Sequence, residues 1–225
     1  MKRLSYRLCW ACALIVFSVP AAGADPFSDP IDFALHFSRL ETGLDDGQQT
    51  VDTTEKQLGI TAFNLVNPAL QPGLLLGYAF IDIADQPLTA GMELDGFYIG
   101  PALRSTLIDD HDFTLSITGS YLYQSTRGSA DTQVINLDWY QPQLDLDARW
   151  RLSQNAKLTI GGQIGRVDVN ERFEGPVKQT LKLKQTSTLG GHAGMEFDLG
   201  DPGQIGVLIH HAISNGVELY FQQQF

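Results

Sequence analysis

Between Gln143 and Leu152 the chain alternates without a break. Leu144, Leu146, Ala148, Trp150 and Leu152 share one parity, and Asp145, Asp147, Arg149 and Arg151 share the other. Coiled at 3.6 residues per turn, the four charges would spread around the axis; extended, they fall on one face. A period of two with one apolar side is the strand signature. The same rhythm is clean in 31–38, 113–124 and 189–199, and recurs with shifted phase in 58–66, 74–83, 92–108 and 158–169. Turn residues separate these segments, at 67–73, 109–112, 153–155 and 201–203. No segment carries a helical period. The expected fold is all-β, antiparallel and up-and-down.

Two details qualify the pattern. The apolar side of 58–66 changes between Ile60 and Phe63, which predicts a bulge there. Pro101 lies inside 92–108 and needs a bulge or a gap in the ladder. The polar stretches 41–55, 127–132 and 170–181 read as loops, and 84–90 as a short one.

The last stretch, Gln204 to Phe225, reads as a hairpin. Ile205, Val207, Ile209 and Ile213 lie on one face of its first strand, and Val217, Leu219, Phe221 and Phe225 on one face of its second. A two-residue Asn215-Gly216 turn sets apolar against polar faces. A three-residue loop, Ser214-Asn215-Gly216, aligns them and pairs Ile213 with Val217 and Ile209 with Phe221. Each strand is then about nine residues long, enough to cross a bilayer when tilted. This hairpin resembles the closing hairpin of Gram-negative outer-membrane β-barrels, whose terminal Phe serves as an assembly signal. Phe221 and Phe225 stand in those places, while Gln223 departs from the hydrophobic residue usual there. The resemblance implies a transmembrane barrel of about ten strands, or eight if two shifted segments are not strands. It also implies the barrel-assembly machinery, outer-membrane lipid and lipopolysaccharide as partners.

The N-terminus agrees with export. Lys2, Arg3 and Arg7 precede a short apolar run, Leu8 to Val19, and Ala22-Gly23-Ala24 is a small-residue cleavage site. Residues 1–24 are read as a signal peptide and 25–225 as one barrel domain, so the expected place is the cell outer membrane. Cys9 and Cys12 fall inside the peptide, leaving no thiol for disulfides or metal. Cleavage leaves 225 − 24 = 201 residues with 15 − 3 = 12 Lys+Arg against 26 Asp+Glu, a balance of −14. That excludes a nucleic-acid partner, which needs a basic face. No apolar run reaches the ~20 residues of a membrane helix.

With apolar faces outward, the lumen receives Asp145, Asp147, Arg149 and Arg151, joined by His192, Glu196, His210, Glu218 and Tyr220. A barrel of this size is filled by side chains, so a paired polar plug is favoured over an open pore. The expected role is non-enzymatic, through outer loops or as a narrow porin-like passive channel. Two alternatives stand beside it. His211, Ser214 and Glu218 look like the site of lipid A 3-O-deacylases, but His and Ser are three residues apart where that family has them two apart. Omptin-like proteases, also ten-stranded, use Asp and His on long extended strands, and no matching motif is found. The other alternative is a soluble periplasmic barrel binding an apolar ligand. No cofactor or metal is expected, because the acidic residues of 41–55 lack cation-loop spacing and Gly161-Gly162 and Gly190-Gly191 precede no helix.

Overall fold

A computed structural model of the chain describes residues 30–225 except 46, 48, 68, 84–91, 131, 177 and 201–202. The expected signal peptide and the loop at 84–90 lie outside the described residues. Twelve strands account for nearly all the rest: β1 Ile31–Asp45, β2 Thr50–Asn64, β3 Gln71–Ile83, β4 Leu94–Asp109, β5 Phe113–Ala130 and β6 Gln133–Ser153 form the first half. β7 Ala156–Gly165, β8 Asp168–Glu174, β9 Gln179–Gln185, β10 Leu189–Gly200, β11 Gly203–His211 and β12 Asn215–Gln224 complete it. All pairings are antiparallel.

The strands close two rings, one on top of the other. At the near end, which holds the short turns, β1 to β7 pair in sequence, β7 pairs with β10, and β10, β11 and β12 follow back to β1. That is a ten-stranded ring, closed by hydrogen bonds in both directions between Ile31 and Phe225. At the far end β7, β10, β11 and β12 have stopped. There β8 pairs with residues 134–140 of β6, β9 pairs with β8, and Leu44 and Asp45 of β1 meet Gln185 and Lys184 of β9. The far ring therefore has eight strands.

β6 crosses both rings and shows how their insides differ. Its odd positions face inward throughout. From the far end they read Ile135, Leu137 and Trp139, then Gln141, Gln143, Asp145, Asp147 and Arg149. Its even positions face outward: Asn136 and Asp138 first, then Tyr140, Leu144, Leu146, Trp150 and Leu152. The far ring encloses a dry core in which Trp139, Leu137, Ile135, Leu44, Val51, Ile81, Leu94, Val169, Phe173 and Leu183 are buried together. The near ring is the reverse, with Leu, Ile, Val and Phe outward on all ten strands and polar groups inside. Tyr123 packs against Tyr140 at the upper edge of this outer belt, and Phe113 against Trp150 at the lower, the rings of each pair tilted to one another. From residue 140 to 150 is ten steps of about 3.3 Å. A tilt of roughly 40° projects that length to about 25 Å, the height of a lipid-facing band.

Several expectations change. The stretches read as loops at 41–55, 127–132 and 170–181 are mostly strand: the ends of β1 and β2, the end of β5, and the β8–β9 hairpin. Their outward faces meet water and are polar, which hid the sparse apolar residues facing in. The bulge at 60–63 is absent, because β2 keeps one register with both neighbours. Phe63 is instead an inward residue, and its change of side is real. Pro101 does sit at a ladder gap, between the Ile99–Tyr123 and Ala102–Ser120 pairs. In the closing hairpin Ile209 pairs with Val217 and Ile205 with Phe221, a shift of four residues from the expected register. Ile213 is drawn out of the strand and buried, its carbonyl accepting from Gln185 Nε2 at 2.7 Å. Ala212 takes φ 81° to make the corner, its N–H donating to Asn215 Oδ1. A shift of four is even, so both faces keep their sides.

Candidate functional site

The near ring holds a continuous polar network. At its lower mouth Arg149 Nε lies 3.1 Å from Glu196 Oε1, a charge contact without hydrogen-bond alignment. Thr159 donates to the same oxygen at 2.7 Å, and Lys157 reaches Asp198 at 3.2 Å. Asp32 accepts from Arg104 at 2.7 Å and from Gln222 at 2.6 Å. The Arg104 guanidinium lies 4.2 Å above the Phe63 ring, which explains an aromatic residue on the polar side of β2.

Higher up are three histidines. Glu218 sits between two of them, 2.7 Å from His36 Nδ1 and 3.1 Å from His210 Nε2. His192 Nε2 meets Asp147 Oδ1 at 2.7 Å, and its ring packs 5.4 Å from that of His210. Gly161 makes this possible, since a Cβ there would lie 2.3 Å from His192 Nε2. Likewise Gly206 leaves room for the buried Tyr220 ring beside it. Along β6 a chain of hydrogen bonds runs from Trp139 to Gln141 to Gln143 to Asp145, joining dry core to lumen. At the junction of the rings Thr53, Glu55, Gln124 and Thr126 form a thin polar layer. Glu55 Oε1 has no hydrogen-bond partner there, and burial holds the carboxyl above its usual range despite Gln57 and Gln124 beside it.

Two cavities follow this division. A cleft of about 460 Å³ opens at the near mouth between Arg149, Arg151, Gln222 and the 109–114 turn. A smaller one of about 230 Å³ lies among the histidines. The dry core caps both at the far end.

Asp145, Asp147, Arg149, His192, Glu196, His210, Glu218 and Tyr220 thus all point into the lumen, and Arg151 stands exposed at its mouth. His211, Ser214 and Glu218 do not come together. His211 is exposed on the outer face, Ser214 is buried in the corner, and Glu218 faces inward against two histidines. Phe221 and Phe225 both face outward. Sequence reasoning missed Asp32, His36, Arg104 and Thr159. Asp32 and His36 were visible on the polar face of 31–38 and needed only the β1–β12 pairing, which sets His36 opposite Tyr220. Among the described residues no group of three or more His, Cys, Asp or Glu is placed to hold a metal ion. No helix there is long and apolar enough to cross a membrane, which says nothing of strands.

No protein-family model matches the sequence, and no curated protein does. Solved structures do resemble it. The outer membrane protease OmpT from Escherichia coli aligns with a TM-score of 0.53 at 10% identity, covering 91% of this chain and 99% of its own. The beta domain of the Bordetella autotransporter BrkA gives 0.52 at 12%, covering 88% and 100%. The fold is that of an outer-membrane β-barrel. Identities this low carry the fold and not the activity. The barrel's five histidines are His36, His192 and His210 in the lumen, His111 in the 109–112 turn, and His211 outside. None lies inside the far ring.

Proposed function

We propose that the chain resides in the outer membrane as a non-conducting barrel, with its near end in the periplasm and its far ring standing outside the cell. Its work is then done by that far ring, as a rigid surface for interaction. One observation carries this reading: the inward face of β6 turns from charged to apolar at Trp139, where the strand rises past the lipid-facing belt. A channel keeps its inner wall wet from end to end, whereas a tightly packed apolar layer excludes ions. The exposed belt favours lipid over the soluble periplasmic alternative. Phe37, Leu144, Ile164, Ile209 and Leu219 are each between 45% and 62% exposed, and soluble monomers rarely show apolar patches of that extent. A rim hydrolase loses its support, because His211 and Glu218 sit on opposite sides of the wall and a triad is a matter of geometry. A protease using Asp and His within the far ring lacks the histidine.

Planar-bilayer recording of the refolded barrel tests the proposal. No conductance steps are expected at moderate voltage. Stable steps that scale with salt concentration would restore the passive-channel reading.

A further inference from the structure

On the outer wall just above the belt, Arg39 of β1 pairs directly opposite Lys56 of β2. Like charges placed directly opposite in a sheet repel. Elsewhere on the outward face, opposite charged partners are of unlike sign: Asp95 with Arg127, and Lys184 with both Asp168 and Asp45. Among the described residues Arg39–Lys56 is the one like-charged pair on that face. Glu41 Oε1 lies 3.5 Å from Arg39, but both side chains are more than half exposed, and such a contact is worth little. Glu41 is therefore an exposed partner for one of the two bases only, and the residues directly opposite Lys56 are Arg39 and Phe80.

Beneath them the wall is apolar. The row below runs Leu219, Phe37, Leu58 and Tyr78 across four strands, and the next runs Phe221, Leu35, Ile60 and Leu76. A two-cation head above an apolar slope matches a lipid whose phosphates lie at the level of its headgroup. We propose that Arg39 and Lys56 bind the phosphates of lipid A, the lipid part of lipopolysaccharide, with its acyl chains lying on Phe37, Leu58 and Leu219. The pair stays together because its anion is supplied by the leaflet. The site rests on the outer-membrane reading, and it assigns the far side of the belt to the outer leaflet.

The test is native mass spectrometry of the full-length barrel in mild detergent, titrated with bisphosphorylated lipid A. Wild type should retain one lipid, and the Arg39→Gln/Lys56→Gln double variant should bind about tenfold more weakly or worse, as two lost charge contacts imply. Arg127→Gln, whose base already faces Asp95, should match wild type. Wild type with lipid A stripped of both phosphates should show the same loss, an arm that needs no variant to fold. Retention within twofold in either the double variant or the dephosphorylated arm overturns the site. Equal retention of phosphatidylglycerol overturns the commitment to lipid A. Heat-modifiability on gels is read alongside; a wild type that does not shift on boiling brings down the barrel reading itself, and the site with it.

Discussion

The two rings share six strands and one inward face, yet their interiors are opposite. In the near ring that face carries Asp145, Asp147 and Arg149; ten residues higher on β6 it carries Ile135, Leu137 and Trp139. The outward faces reverse in step, from Leu144 and Leu146 to Asn136 and Asp138. Each interior complements what lies outside the wall. Where lipid covers the outside, apolar side chains belong there and the lumen can hold paired charges. Where water surrounds the wall, the ring must bury its own apolar core, as a soluble domain does. Among the described residues, the far ring is thus filled by ordinary hydrophobic packing of its own side chains.

The largest expected effect comes from opening the dry core. Trp139→Ala removes its largest side chain and should cost about 3–5 kcal/mol, read by urea titration in lipid vesicles with Trp150 as the probe. An intermediate in which the β8–β9 hairpin is cleaved by protease while the near ring still resists is the expected companion. Next in size is an arginine placed outward at two heights of the same strand. Leu146→Arg, in mid-belt, should cost about 2–4 kcal/mol, whereas Val134→Arg, above it and opposite Ser129 and Glu174, should stay within about 0.5 kcal/mol. Equal costs at the two positions would erase the boundary between the rings.

The smallest effect is at the junction. Burial raises the Glu55 carboxyl above its ordinary value of 4.5, so the folded state holds a proton that the unfolded chain releases. Stability is then lost as pH rises from about the unfolded pKa through the folded one. Glu55→Gln should flatten that dependence and gain about 1 kcal/mol at neutral pH, measured by the same titration across pH.

The sequence disclosed the near ring far better than the far one. Strands 31–38, 113–124 and 143–152 alternate apolar with polar because one face meets lipid, and that contrast survives an error in register. The closing hairpin shows this: its pairing is displaced by four residues, yet His210, Glu218 and Tyr220 still point inward. In the far ring the signal is diluted. Val169 and Phe173 face in with Glu171 between them, and the outward residues are Asp168, Asn170 and Arg172. One charged residue on the inner face is enough to make such a segment read as a polar loop. The lumen partners Asp32 and Arg104 were hidden for another reason. They are 72 residues apart on β1 and β4, and the inward curve of the sheet across β2 and β3 brings them to 2.7 Å.

The most direct measurement uses the tryptophans. Trp150→Phe leaves Trp139 as the one tryptophan beyond the expected signal peptide. In vesicles its emission should be blue-shifted and resist quenching by both aqueous acrylamide and brominated lipid, because it sits inside the wall and above the belt. Quenching by acrylamide at the rate of an exposed indole would mean a wet far ring and an open barrel, and would contradict the account.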